Sequence, residues 1–308
     1  MNKEDSEKEF SSIKVYGGLL VGLAAISLAP ILVRFAADYS SLLVATIRTV
    51  LATLFLLPIY LFKKKKGALI EASSNKEHIL VAAAGISLGF HFIAWISSIY
   101  YTSIASASVL VCMHPIILII AERVWLKVNF RLVVWFGVLV SFVGTLMLGF
   151  IDVGGQNNFP NAVLGNILAV LAALIFAVYF LIGRQIRQKR SWLGYVFPVY
   201  SYAAITCIVV LISVEGFSFE VDSTVLLIGL LLAIGPQLLG HGSLNYAVKY
   251  VSPTLLSTLI LAEPILASIV GFFVFQELPK KMSLLAMMII LIGISMTWKR
   301  KEIKSIES

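Results

Sequence analysis

Read for hydropathy alone, the chain is a series of long apolar runs separated by short polar segments. Ten runs can be marked, at roughly 15–36, 42–62, 78–99, 103–125, 131–150, 162–183, 192–213, 224–247, 252–275 and 282–298. Most approach the length of about 20 residues that a helix needs to cross the hydrocarbon core. They are apolar throughout, without the alternation of a barrel strand, so they predict helices. The expected fold is an all-α polytopic membrane protein with ten transmembrane helices.

Composition points the same way. Of 308 residues, 59% are hydrophobic and 13% charged, and the mean hydropathy is +0.96. Soluble domains carry about 25% charge. The net charge of +8 does not indicate a nucleic-acid partner, because the basic residues fall in short segments between runs. Lys63–Lys66, Arg123, Lys127, Arg131, Arg184, Arg187, Lys189, Arg190 and Lys299–Lys301 all lie on one side if the termini are cytoplasmic. The opposite loops hold Asp38, Asp152, Glu215, Glu220 and Asp222, with Lys280 and Lys281 as the exception. The positive-inside rule then puts both termini in the cytoplasm, the expected location being the cell membrane. Residues 1–14 are polar and show no cleavable signal pattern, so the first run is expected to stay as a helix. Cys112 and Cys207 sit within apolar runs and read as packing residues, not as a disulfide or metal site.

Shifting the first half by about 149 residues superposes it on the second. His91 falls on His241, Tyr101 on Tyr250, Ser108 on Ser257, Pro115 on Pro264 and Gly144 on Gly293, in order, with one-residue slips. The expected organisation is a repeat at 15–150, an extracytoplasmic linker at 151–161, a second repeat at 162–298 and a basic tail at 299–308. Five helices per repeat is an odd number, so the second copy enters the membrane inverted. Inverted repeats of this kind place a substrate cavity at their interface near the midplane.

The candidate chemistry is sparse and falls at midplane depth. In LLSTLILAEPILASIVGFFVF, residues 255–275, the one ionisable residue is Glu263, with Pro264 directly after it. An acid at that depth costs roughly 2.5–3.5 kcal/mol on insertion scales and is buried in protein or faces a wet cavity. Its repeat partner is His114, followed by Pro115. Both lie about 11 residues into their runs, roughly 16 Å deep at helical rise. Two readings stand: a proton-coupling or substrate-ammonium site, and a structural ion pair that fastens two helices. Gln237, His241 and Asn245 fall on one face of run eight at i, i+4, i+8, and Ser87, His91 and Trp95 on the related face of run three. These stripes read either as cavity walls or as helix-to-helix hydrogen bonding. Arg48, inside run two, either binds a substrate carboxylate or, as the leading expectation, turns outward to Asp38. Among the tyrosines, Tyr101 is the best cavity candidate and Tyr200 a weak one. Glu122 and Arg123 are expected at the interface. Pro115, Pro236 and Pro264 mark helix breaks, which in a transporter expose backbone to the solute. No phosphate-binding loop, HExxH or GxSxG motif is present, which disfavours ATP-driven transport and familiar hydrolase chemistry.

The stretch QLLGHGSLNYAVKYVSPTLLSTLILAEPILASIVGFFVFQEL closely resembles the C-terminal half of EamA-type transporters of the drug/metabolite transporter superfamily. IYYTSIASASVLVCMHPII and LLVATIRTVLATLFLLP are similar to the matching segments of their first repeat. The resemblance implies two inverted five-helix repeats around a central cavity, working by alternating access. It also implies a small-molecule substrate such as an amino acid, often exported, commonly with proton exchange. The family's acid-proline pair falls on Glu263 and Pro264. Its acid at the end of run nine falls on Glu277, here after Gln276, and the first-half equivalent is Val128. His114 stands where many relatives carry a small or apolar residue. The expectation is a proton-coupled exporter of small polar metabolites in the lipid bilayer, as a monomer or homodimer, without a cofactor. The alternatives are an intramembrane enzyme or lipid-handling protein using His114 and Glu263, and a passive channel.

Overall fold

The structure is a computed structural model that describes residues 3–70, 74–102, 104–152, 161–263, 265–266 and 281–298. Among these residues the chain is helical and forms no strand. Helices α1 (Lys3–Ser27) and α2 (Ala29–Phe35) form run one, followed by α3 (Ser41–Lys65) and α4 (Asn75–Tyr101). Run four is divided into α5 (Ile104–Val111) and α6 (His114–Val124), and α7 (Leu132–Asp152) follows. The second half begins with α8 (Ala162–Arg187) and α9 (Trp192–Glu215). Run eight holds α10 (Ser223–Leu232), a π-helical segment (Ala233–His241) and α11 (Gly242–Ala247). Then come α12 (Pro253–Ile260) and α13 (Lys281–Trp298). Among the described residues eight spans are long and apolar enough to cross a membrane, and Leu132–Met147 is a shorter apolar helix. The expected ninth run is described only from Pro253 through Glu263 and at 265–266. Pro264 and Glu277 lie outside the described residues.

The breaks have local causes. Pro115 has no N–H and cannot continue the helix behind it, but it suits the first turn of a new one. The helix therefore stops at Val111, turns through Cys112 and Met113, and restarts at His114. Run nine does the same one repeat later. Helix α12 stops at Ile260, turns through Leu261 and Ala262, and resumes helical conformation at Glu263. The turn hydrogen bonds correspond: Met113 N donates to Leu110 O (3.2 Å) and Ala262 N to Leu259 O (3.0 Å). In run eight Pro236 removes a donor inside the helix, and the register widens to π over the surrounding residues.

Helix α4 lies along α8 and α9, α3 along α9, α1 along the π-helical segment, and α7 along α13. Without a hydrophobic drive in lipid, such contacts depend on small residues that let backbones approach. A Cβ at Gly144 would lie 3.0 Å from the Ala286 carbonyl and 2.9 Å from Ile290. One at Gly293 would lie 2.6 Å from the Gly137 carbonyl and 2.3 Å from Ser141. The outward faces are apolar, as at Leu54, Phe55 and Ile59 of α3 and Met288, Leu291 and Ile292 of α13.

Polar ties close both ends of the bundle. At one end Tyr39 donates to Asp222 (2.6 Å), Ser40 to Glu215, and Tyr100 to the Ala36 carbonyl (2.5 Å). At the other, Arg190 pairs with Glu77, and Arg184 Nη1 donates to the carbonyls of Val248 (2.7 Å) and Lys249 (2.8 Å). Glu122 corrects its expected interfacial position. It is 1% exposed and accepts from Thr254 N (2.8 Å) and Thr254 Oγ1 (2.5 Å), at the start of α12. The free amides of that first helical turn supply donors that a carboxylate satisfies.

Candidate functional site

Between these two sets of ties lies a cavity of about 50 Å³, room for a few water molecules. Its polar wall is made by Arg48 of α3, His91 and Trp95 of α4, His114 at the restart of run four, His241 at the end of the π-helical segment, and Glu263. The apolar wall comes from Ile26, Phe92, Val111, Phe176, Leu244 and Ile260, with Pro236 at the π-helical segment. The breaks in runs four and nine position the two repeat-related residues: His114 and Glu263 each come first after the turn.

The imidazoles are held by rings and backbone. His91 Nδ1 is 2.9 Å from the Ala172 carbonyl, which can only accept, so Nδ1 carries the proton and donates. The His91 ring stands 6.1 Å from that of His241 and 5.2 Å from Phe176, centroid to centroid. The edge-to-face contact of His114 with Phe176 is 5.0 Å, and that of His241 with Phe92 is also 5.0 Å. The Nδ1 atoms of His114 and His241 are buried without a hydrogen-bond partner. His114 and Glu263 both face the cavity, and among the described residues no hydrogen bond or ion pair joins them. No group of three His, Cys, Asp or Glu side chains among those residues is placed to hold a metal ion.

Arg48 does not turn outward to Asp38. It is 1% exposed, its Nε donates to Gln237 Oε1 (3.1 Å), and its guanidinium carbon lies 3.8 Å from the centroid of the Phe92 ring. Gln237 and Phe92 give the cation partners inside the bundle that snorkelling would have sought outside. Gln237 is fully buried behind Arg48. Asn245, also fully buried, is not on the cavity wall; it lies beside Tyr179 and Tyr200. Tyr101 is half-buried next to Gly165 at the end of α4, away from the cavity. Tyr200 is buried and donates to the Gln237 carbonyl (2.8 Å), bracing the π-helical segment. Phe92, Phe176 and Ile260 went unflagged in the sequence, because an apolar residue facing a cavity looks like one facing lipid. For Phe92 the one available signal was its place beside His91.

An all-helical membrane bundle, with a cavity that two helix breaks supply with His114 and Glu263, is built as solute carriers are. A family model of the EamA-like transporter family matches residues 14–150 and again 163–299, and the chain belongs to that family. It is a membrane transporter, not an enzyme. The "Uncharacterized transporter YdfC" of Bacillus subtilis (strain 168) is 24% identical over 215 residues, 68% of each chain. An "Uncharacterized transporter" of Clostridium kluyveri is 24% identical over 204 residues, 64% of each. A crystal structure at 17% identity shares the fold, with a TM-score of 0.72, covering 91% of this chain and 96% of that one.

Proposed function

We propose that this protein is a secondary transporter of small polar metabolites, amino acids or related compounds, acting as a proton-coupled exporter by alternating access. The architecture in this reading is ten membrane helices in two inverted repeats, 15–150 and 162–298, with both termini on the cytoplasmic side of the cell membrane. The double family match supports the repeat. So does the reciprocity of the α7–α13 contact. Gly144 meets Ala286 and Ile290, while Gly293, one repeat on, meets Gly137 and Ser141, their repeat equivalents. Such an exchange is the mark of a two-fold contact.

The observation that carries the functional reading is the pair of matching helix breaks, each delivering an ionisable residue to one cavity. Glu263 serves as the proton or ammonium site and His114 as the group facing it across the cavity. His91, Trp95 and His241 line the substrate's surroundings. A substrate binds the folded protein, so a thermal-shift screen of metabolites tests the reading. A ligand at 100 times its Kd stabilises by about 2.7 kcal/mol. Amino acids or close relatives are expected to raise Tm in wild type, with a smaller or pH-independent effect in Glu263→Gln. Equal, equally pH-dependent shifts in both proteins count against Glu263 as the coupling site.

A further inference from the structure

Arg48 carries a permanent charge at the middle of a membrane bundle. Among the described residues no carboxylate pairs with it; its partners are the uncharged Gln237 amide and the face of Phe92. Its Nη1 is buried without a hydrogen-bond partner, and so is Nδ1 of His241, which lines the same cavity. A buried cation without a directly paired counter-charge is costly to hold, and buried donors left unpaired add to that cost. Groups of this kind persist where a ligand completes them.

The three residues are organised as a unit. Gln237 Oε1 takes the Nε–H of Arg48 and so fixes the plane of the guanidinium. Gln237 and His241 both belong to the π-helical segment, which the Tyr200 hydroxyl braces at the Gln237 carbonyl. Arg48 and His241 line the cavity, whereas Gln237 stands behind Arg48 as a positioning residue. A fixed guanidinium beside an imidazole matches an oxyanion head group with two oxygens. The cavity also limits the charge it accepts. Among the described residues Arg48 is the only Arg or Lys that lines it, and Glu263 lines the same space. That favours a single negative charge over a phosphate dianion. Trp95, Phe176 and Ile260 offer the remainder of the ligand an apolar wall.

We propose that Arg48 and His241, oriented by Gln237, form a receptor for one carboxylate, so that the carboxylate is the obligatory recognition group of the substrate and its amino group is dispensable. The inference rests on the cavity being the substrate site and adds which group is read there.

The test uses the full-length protein in detergent or nanodiscs, with matched probes. These are isovalerate and phenylacetate as carboxylates, isopentylamine and phenethylamine as amines, and sodium chloride as a plain anion. Both carboxylates are expected to raise Tm and the amines not to. Arg48→Met should abolish the response, and Arg48→Lys, which keeps charge but loses the planar fork, should weaken binding by at least about tenfold. Gln237→Glu is the decisive variant. It sets a carboxylate against the guanidinium, so ligand-free Tm should rise while carboxylate binding falls by at least about tenfold. A merely structural Gln237 would not produce those opposite changes. Response to amines but not carboxylates, lost in Glu263→Gln, would overturn the head-group assignment and leave the cavity as the transport site. Chloride matching the carboxylates, in an Arg48-dependent way, would make this a resident-anion site and overturn it too. Inert carboxylates and amines alike would count against both the receptor and the cavity reading.

Discussion

The acid at position 263 could be found from hydropathy, because a single charge in an apolar run has no ordinary place in lipid. Its repeat partner His114 followed from alignment of the two halves. The fate of Arg48 could not be found that way. Its depth left two solutions, outward to water or inward to a polar partner. The choice depended on Gln237, far away in sequence, and on Phe92, whose ring looks like any other in an apolar helix. Glu122 was misplaced for a similar reason. Closeness to a run's end predicts solvent, but the first turn of α12 lies directly across from it. One exposed pair gives a pH prediction at this scale. The Tyr39 hydroxyl donates to Asp222, and with the amides of Thr224 and Val225 it holds the Asp222 carboxyl below the usual carboxylate range. A depressed folded-state value means the contribution is present above the unfolded value, about 3.9, and is lost as pH falls through the lower folded one. Asp222→Ala should therefore lower Tm at pH 6 and make little difference near pH 2. An equal drop at both pH values would show that the carboxylate's charge is not what matters.

At the scale of elements, the eight apolar spans and the shorter helix among the described residues were legible as runs, and their interruptions partly so. Proline marked the break at 112–113 and the π-helical segment around Pro236. How a helix recovers from a proline, by a turn or by a wider register, depends on neighbours that supply the missing hydrogen bonds. Tyr200, from α9, is one such neighbour. Runs four and nine are also tied to each other at one end, where Glu122 of α6 accepts two hydrogen bonds from Thr254 at the start of α12. Hydrogen bonds to a buried carboxyl group are worth about 1.5–3 kcal/mol each when the group is charged. Glu122→Ala should cost about 2–3 kcal/mol, seen as a lower Tm, and Glu122→Gln less because an acceptor remains. An unchanged Tm in the alanine variant would mean that the contact adds nothing to the bundle.

For the whole molecule, the two halves meet along contacts that exchange under the repeat at α7 and α13, yet the cavity between them is chemically unequal. One break delivers an imidazole and the other a carboxyl; an arginine sits on the first-half wall, in α3, with the glutamine that orients it in the second half. In the proposed reading, a pseudo-symmetric frame would give two similar ways to open, and an asymmetric lining would give the solute a preferred orientation and the proton a preferred site. The internal match was readable from spacing because repeats leave matching residues at a constant offset, and the family model likewise matches each half. The lining was only half readable, since its apolar part has the same composition as the lipid-facing surface.

The central claim is that a proton at Glu263 couples solute movement through this cavity. The most direct measurement is uptake of a labelled amino acid, identified by the thermal-shift screen, into proteoliposomes with and without an imposed pH gradient. Wild type is expected to accumulate solute against its gradient when the pH gradient is present. Glu263→Gln is expected to exchange labelled for unlabelled solute without accumulating it. Accumulation by Glu263→Gln equal to wild type, with the same response to the pH gradient, would contradict the account.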